Sequence, residues 1–116
     1  MLNVKRVYDP PAAADGYRIL VDRVWPRGFT KEKARVDAWR KDLGPSDALR
    51  KWFGHDPKKW DEFRRRYRAE LETTGRWKDL RALAERARQE DVTLVFSARD
   101  AEHNQAVALR EMALGP

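Results

Sequence analysis

Two apolar, β-rich runs separated by a long helical stretch constrain the fold of this chain more than any other feature. The runs are Tyr17–Trp25 (YRILVDRVW) and Val92–Phe96 (VTLVF). Ile19-Leu20-Val21 is apolar at consecutive positions, as expected of a strand that is covered on both faces. A strand, a helical crossover and a second strand run parallel with a right-handed connection. The pattern therefore predicts an α/β domain.

Two further segments complete the predicted sheet. Leu2–Tyr8 is short and partly alternating, which favours a strand near a sheet edge, and Asp9-Pro10-Pro11 ends it because proline lacks a backbone donor. The stretch Val36–Trp39 is ambiguous between a short strand and an irregular connector. The fold class predicted is α/β: a small single-domain sheet of three to four mostly parallel strands with helices packed around it.

Helical signals dominate from Pro45 onward. Ser46 is a preferred N-cap, Gly54 suits a left-handed helix end, and Asp56 caps the next helix with Pro57 at its first position. Apolar residues then recur every three or four positions, which predicts helix faces packed on a core. They are Leu49, Trp52 and Phe53; Trp60, Phe63, Tyr67 and Leu71 up to Gly75; Leu80, Leu83, Ala84 and Ala87; and the Ala/Leu-rich segment 106–114.

The composition excludes several classes of site. The 116 residues, expected to form one domain over 1–116, include no cysteine, which rules out disulfides, thiolate metal sites, iron–sulfur clusters and a cysteine nucleophile. Two histidines and no spaced ligand cluster predict that there is no metal site. No dinucleotide or phosphate-loop motif is present, so no cofactor is expected. Without a long apolar stretch, we expect a cytoplasmic protein with no membrane partner.

A net charge of +6 raises the question of nucleic acid. The densest basic run, Arg64-Arg65-Arg66 with Arg68, is flanked by acidic residues at helical spacing (Asp61, Glu62, Glu70 and Glu72). Opposite charges three or four residues apart on a helix support one another on a solvated face. The pattern therefore favours a solvated helix, and nucleic-acid binding remains an alternative hypothesis.

Charged residues end both apolar strands, where ligands bind in open α/β sheets. Asp22, Arg23, Arg27 and Gly28 follow the first strand, and Ser97, Arg99 and Asn104 follow the second. If the strands are neighbours, the three arginines converge, and guanidinium groups bind phosphate or carboxylate. The competing interpretation is that ion pairs such as Arg23–Asp22 or Arg99–Asp100 only brace the loops.

Catalytic signals are weaker. Asp100 and His103 stand three residues apart, and Ser97 precedes them, so proton transfer by the Asp100–His103 pair is a hypothesis. No nucleophile-elbow motif supports it. His55, between two helices, is interpreted as an exposed linker residue.

Several of these strings resemble the YeaO-like family of small bacterial proteins, a domain of unknown function (DUF488). The resemblance rests chiefly on Tyr17-Arg-Ile-Leu-Val-Asp-Arg-Val-Trp-Pro-Arg-Gly28, Leu49-Arg-Lys-Trp-Phe53, Val92-Thr-Leu-Val-Phe-Ser-Ala-Arg-Asp100 and His103-Asn104. It implies a stand-alone cytoplasmic α/β domain and brings no established activity. Members of the broader family carry a Cys-His-Arg-like element after the last strand. Because this chain lacks it around Asn104, the resemblance implies no cysteine chemistry here.

The leading hypothesis is therefore a protein that binds an anionic, phosphate-bearing small molecule at the strand ends, with weak acid–base catalysis as an addition. A nucleic-acid-binding module and a protein-interaction module are the alternatives. Whether the protein is an enzyme, and its oligomeric state, stay open at this point.

Overall fold

The two apolar runs become neighbouring parallel strands in a four-stranded sheet. The computed structural model describes residues 1–115. Its strands and helices are β1 (Leu2–Arg6), β2 (Tyr17–Leu20), α1 (Lys31–Ala34), β3 (Ala38–Trp39), α2 (Asp47–Phe53), α3 (Trp60–Thr73), α4 (Trp77–Ala87), β4 (Val92–Phe96) and α5 (Gln105–Leu114). The strand order is β1-β4-β2-β3, and every neighbouring pair is parallel. The predicted α/β class is confirmed; Pro116 lies outside the described residues.

Side chains alternate across the sheet and bury two separate apolar layers. Ile19 and Leu94 face the larger layer, which fills the space between the sheet and α2 to α5. Leu20 and Val95 face a smaller layer, which is covered by Trp25, Phe29 and Val36 and by Ala34 of α1. β4 is buried along its whole length, as its uninterrupted apolar sequence requires.

The second strand is shorter than the predicted segment Tyr17–Trp25. It ends at Leu20, and one more ladder bond joins the Val21 N–H to the Val95 carbonyl at 3.0 Å. Asp22 and Arg23 then leave the sheet because their side chains bond to groups on α5 and on the turn before α2. The ambiguous stretch before Trp39 forms the two-residue edge strand β3.

The helix boundaries follow the predicted caps. The Ser46 hydroxyl accepts a hydrogen bond from the Leu49 N–H at 3.1 Å, and Gly54 ends α2 with a φ of 53°. Asp56 caps a 3₁₀ turn, Pro57–Lys59, rather than an α-helix, and α3 follows directly. Within residues 1–115, no helix combines the length and apolar character needed to cross a bilayer.

A buried ion pair that the sequence analysis did not identify holds the start of β2. Arg18 and Asp15 are both buried, and Arg18 Nη1 lies 2.7 Å from Asp15 Oδ2. Lys5 of the edge strand adds a second bond to Asp15 at 3.0 Å. The remaining Arg18 donors bond to the backbone carbonyls of Ala34 and Arg35. The charges are therefore compensated, and the cluster ties α1 to the sheet.

Candidate functional site

The carboxyl ends of β2 and β4 lie at the same edge of the sheet because these strands are parallel neighbours. A cavity of about 520 Å³ opens at this edge. Segments following both strands line it, together with residues from the turn before α2, from α2 and α3, and from the start of α5. Six of the sequence-predicted site residues line the cavity: Asp22, Arg23, Ser97, Arg99, Asp100 and Asn104.

Arg23 lines the cavity but is already bonded to the protein. Its Nε donates to the Pro45 carbonyl at 2.6 Å, and its Nη2 donates to the Gly44 carbonyl at 2.9 Å. These acceptors are neutral, so the positive charge of Arg23 is not cancelled by a carboxylate. The Arg23–Asp22 ion pair considered above does not form, because Arg23 bonds to backbone carbonyls and the only side-chain partner of Asp22 among the described residues is Gln105. Arg23 therefore braces the cavity wall and adds positive potential to the site.

Arg99 is the free arginine of this site. Its side chain is exposed on the loop after β4, and it forms no hydrogen bond or ion pair with any of residues 1–115. The neighbouring Asp100 bonds instead to its own loop. The alternative Arg99–Asp100 pair is therefore absent from the described part of the chain.

Arg27 and Gly28 do not reach the cavity. They lie in an exposed turn, and the Trp25 Nε1–H closes this turn on the Phe29 carbonyl at 2.6 Å. Trp25 and Phe29 pack on the smaller apolar layer, so they hold the turn on the other side of the sheet. An added Cβ at Gly28 would meet no atom within 4 Å, and its φ of +82° explains the glycine. Arg27 was predicted to converge with Arg23 and Arg99, but it does not share the cavity with them.

Asp22 is a buried carboxylate within the cavity wall. Only 6% of the residue is exposed. Its Oδ1 accepts a hydrogen bond from the Gln105 side chain, whereas Oδ2 has no partner among the described residues. Burial is the main influence on the pKa of Asp22 and raises it, while the nearby Ser97 and Gln105 groups lower it in part.

Asp100 lines the cavity, but its carboxylate is bonded within its own loop, and its partner His103 does not line the cavity. The Asp100 carboxylate accepts the N–H groups of Glu102 at 2.9 Å and His103 at 3.1 Å, and His103 Nδ1 lies 2.9 Å from Asp100 Oδ2. The Glu102 bond contributes most to a lowered pKa of Asp100. The His103 ring packs edge-on against Trp60 at 5.3 Å and does not line the cavity.

Asn104 connects this loop to α5. Its side-chain oxygen accepts the Val107 N–H at 3.0 Å, and its amide donates to the Asp100 carbonyl at 2.9 Å. Asn104 is therefore an N-cap with both polar groups engaged. Its hydrogen bonds hold the positive end of the α5 dipole at the cavity, which favours an anion there.

The cavity is also lined by residues that were not predicted to belong to the site. Arg50 on α2 lines the cavity and pairs with exposed Asp47 at 3.1 Å. Phe53 and Phe63, assigned to helix faces, stack at 4.3 Å and form the apolar wall. His55 is exposed, as predicted, but also lines the cavity, with a φ of 57°.

Only partial signals for these residues were available in the sequence. Arg50 lies one helical turn before Phe53, so the two side chains share a helix face. The turn that carries His55 is visible as Gly54 followed by a cap and a proline. Which of the helices faces the strand ends depends on tertiary packing, which neither pattern specifies.

Taken together, the site combines positively charged groups with a buried carboxylate in its wall. Arg23, Arg50 and Arg99 supply guanidinium groups, and α5 supplies its positive end. Ser97 faces the Asp22 carboxylate, so among residues 1–115 it is not paired with a histidine base. Among residues 1–115, no group of three His, Cys, Asp or Glu side chains could hold a metal ion.

Comparison with known proteins places the chain in a family without an assigned activity. It is 41% identical over 110 residues to the uncharacterised protein YeaO of Escherichia coli, which covers 95% of this chain and 94% of that protein. It is 40% identical over 114 residues to the uncharacterised protein Rv3073c of Mycobacterium tuberculosis, with 98% and 94% coverage.

No solved structure matches the chain. The family model that matches residues 1–115 is described as the inactive DUF488-N3 subclade. The resemblance to YeaO-like proteins is therefore confirmed, and the chain belongs to the inactive DUF488-N3 subclade of small proteins of uncharacterised function.

Proposed function

We propose that this protein binds a small molecule carrying an anionic group, above all a phosphate, in the cavity at the ends of β2 and β4. One observation carries the proposal: Arg23, Arg50 and Arg99 line a single cavity of about 520 Å³. A cavity of this size suits a drug-sized ligand, and guanidinium groups are preferred donors to phosphate. Arg99 would make the main contact because its donors are uncommitted within residues 1–115.

The proposed function is ligand binding without a catalysed reaction. His103, the residue first considered as a base, is turned against Trp60 and lies outside the cavity lining. Asp100 is occupied by the backbone N–H groups of its loop. The description of the family as inactive agrees with a site that retains a pocket and lacks a reactive pair.

The nucleic-acid alternative is less well supported. The arginines of the basic run on α3 are engaged by acidic side chains: Arg64 with Asp61 and Glu111, Arg65 and Arg66 with Glu62, and Arg68 with Glu72. A binder of phosphate backbones needs clustered, uncompensated charge. No observation on the described residues favours the protein-interaction alternative.

A thermal-shift titration with phenyl phosphate and with inorganic phosphate tests the proposal. We expect phenyl phosphate to raise the melting temperature of the wild type and to do so much less for Arg99→Ala, because the free guanidinium is lost. Arg27→Ala is the matched control: it removes an exposed arginine outside the cavity and should respond like the wild type. No response of the wild type, or equal loss in both variants, would refute the proposal.

A further inference from the structure

One buried atom in the cavity wall lacks a hydrogen-bond partner among the described residues: the second carboxylate oxygen of Asp22. The residue is 6% exposed, and Gln105 satisfies Oδ1 alone. Oδ2 has no hydrogen-bond partner among residues 1–115, although the hydroxyl and the backbone N–H of Ser97 lie close enough to lower the pKa of this carboxyl. A buried carboxylate oxygen without a partner is costly, and native proteins rarely leave one unpaired. Such a group therefore points to a missing hydrogen-bond donor.

The position of Asp22 indicates where this donor comes from. Asp22 lines the same cavity as Arg99, but Asp22 is buried and Arg99 is exposed. The Asp22 carboxylate repels a bound anion, so an anionic group is held at Arg99 rather than next to Asp22. Phe53 and Phe63 provide an apolar wall for the body of a ligand. The cavity therefore contains a negatively charged hydrogen-bond acceptor, Asp22, and a positively charged donor, Arg99.

We propose, resting on the function proposed above, that the ligand is bipolar: it carries an N–H or O–H donor away from its anionic group, and Asp22 Oδ2 accepts that donor. The ligand class is a small aromatic or apolar molecule with an amino, amide or hydroxyl group at one end and a phosphate or carboxylate at the other. Asp22 then determines specificity, whereas Arg99 supplies affinity for the anion.

Matched probes separate these two roles. Isothermal titration calorimetry is run with 4-aminophenyl phosphate, which presents a donor, and with 4-methoxyphenyl phosphate, which presents only an acceptor. We expect the wild type to bind the amino probe about tenfold tighter, the effect of one hydrogen bond to a buried carboxylate. Arg99→Ala should weaken both probes by similar factors and preserve their ratio.

Asp22→Asn is the decisive variant. An asparagine can keep its oxygen toward Gln105 and place an amide N–H where Oδ2 stood, so a donor then faces the ligand. We expect the preference to disappear or to reverse toward the methoxy probe. A thermal melt without ligand checks the fold, and the variant should be at least as stable because it removes an incompletely paired buried charge.

Each result has one meaning. An unchanged preference in a folded Asp22→Asn variant overturns the inference about Asp22 while leaving anion binding intact. Should this variant not fold, the wild type decides, because equal affinities for the two probes overturn the inference as well. If neither probe binds the wild type, the proposed function itself fails.

Discussion

Replacing Arg23 by alanine tests whether this side chain braces the cavity wall or is held free for a ligand. Its guanidinium makes two hydrogen bonds, to the Pro45 carbonyl at 2.6 Å and to the Gly44 carbonyl at 2.9 Å. A hydrogen bond with one charged partner contributes about 1.5–3 kcal/mol. Arg23 is only partly buried, so water replaces part of each bond in the variant. We therefore expect a total loss of about 1.5–3 kcal/mol in the free energy of unfolding.

Urea unfolding and thermal melts of the ligand-free protein measure this loss. For a domain of this size, 1 kcal/mol corresponds to roughly 3–6 °C, so Arg23→Ala should melt about 5–18 °C below the wild type. Arg99→Ala deletes the same groups at an exposed, unpartnered position and should stay within about 0.5 kcal/mol of the wild type. Arg23→Lys keeps the charge without the planar fork and should recover little of the loss.

The comparison between the two arginines decides the interpretation. If Arg23→Ala and Arg99→Ala unfold at the same urea concentration, the two backbone bonds of Arg23 do not stabilise the wall. Arg23 would then have to be counted with Arg99 as a ligand-binding group. The unequal roles assigned to the two arginines would be refuted.

Two further predictions concern the fold. Gly16→Ala should lower the free energy of unfolding by about 2–4 kcal/mol, because Gly16 has a φ of +64° and an added Cβ would lie 2.1 Å from the Asp91 carbonyl oxygen. Gly28→Ala should lower it by only about 1–2 kcal/mol, because an added Cβ there would meet no atom within 4 Å and only the positive φ is unfavourable. Equal thermal melts of the two variants would contradict the steric argument. The hydrogen bond from the Arg40 side chain lowers the pKa of Asp42 from 3.8 to about 2. The ionised carboxylate therefore stabilises the fold above pH 3.8, and this contribution is lost as the pH falls from 3.8 through 2. Asp42→Asn should therefore lose less stability than the wild type between pH 4 and 2, and parallel stability curves would contradict this.

Local signals predicted most of the individual elements. The Ser46 cap, the Gly54 helix end and the apolar spacing on α3 all appear in the structure, because capping and amphipathic packing depend on neighbours within one or two turns. The end of β2 was placed too late. Valine and tryptophan favour a strand, but the side chains of Asp22 and Arg23 make bonds with distant segments that a local pattern does not contain.

The candidate site was predictable in part for the same reason. Of the residues chosen because they follow two apolar strands, the structure brings six to one cavity: Asp22, Arg23, Ser97, Arg99, Asp100 and Asn104. Arg27 was included because it is close to Arg23 in sequence, although the intervening turn carries it to the other side of the sheet. Arg50 was omitted because it is distant in sequence, although α2 brings it to the strand ends.

The amino-acid sequence by itself determined the α/β class, the parallel pairing of strands and the edge of the sheet at which polar groups collect. These properties follow from hydrophobic periodicity and from the geometry of a strand–helix–strand connection. Only the tertiary structure decided which arginines share the cavity and left one oxygen of Asp22 without a partner. Both depend on how distant segments pack against each other, since hydrogen-bond satisfaction is a property of three-dimensional neighbours and not of adjacent residues.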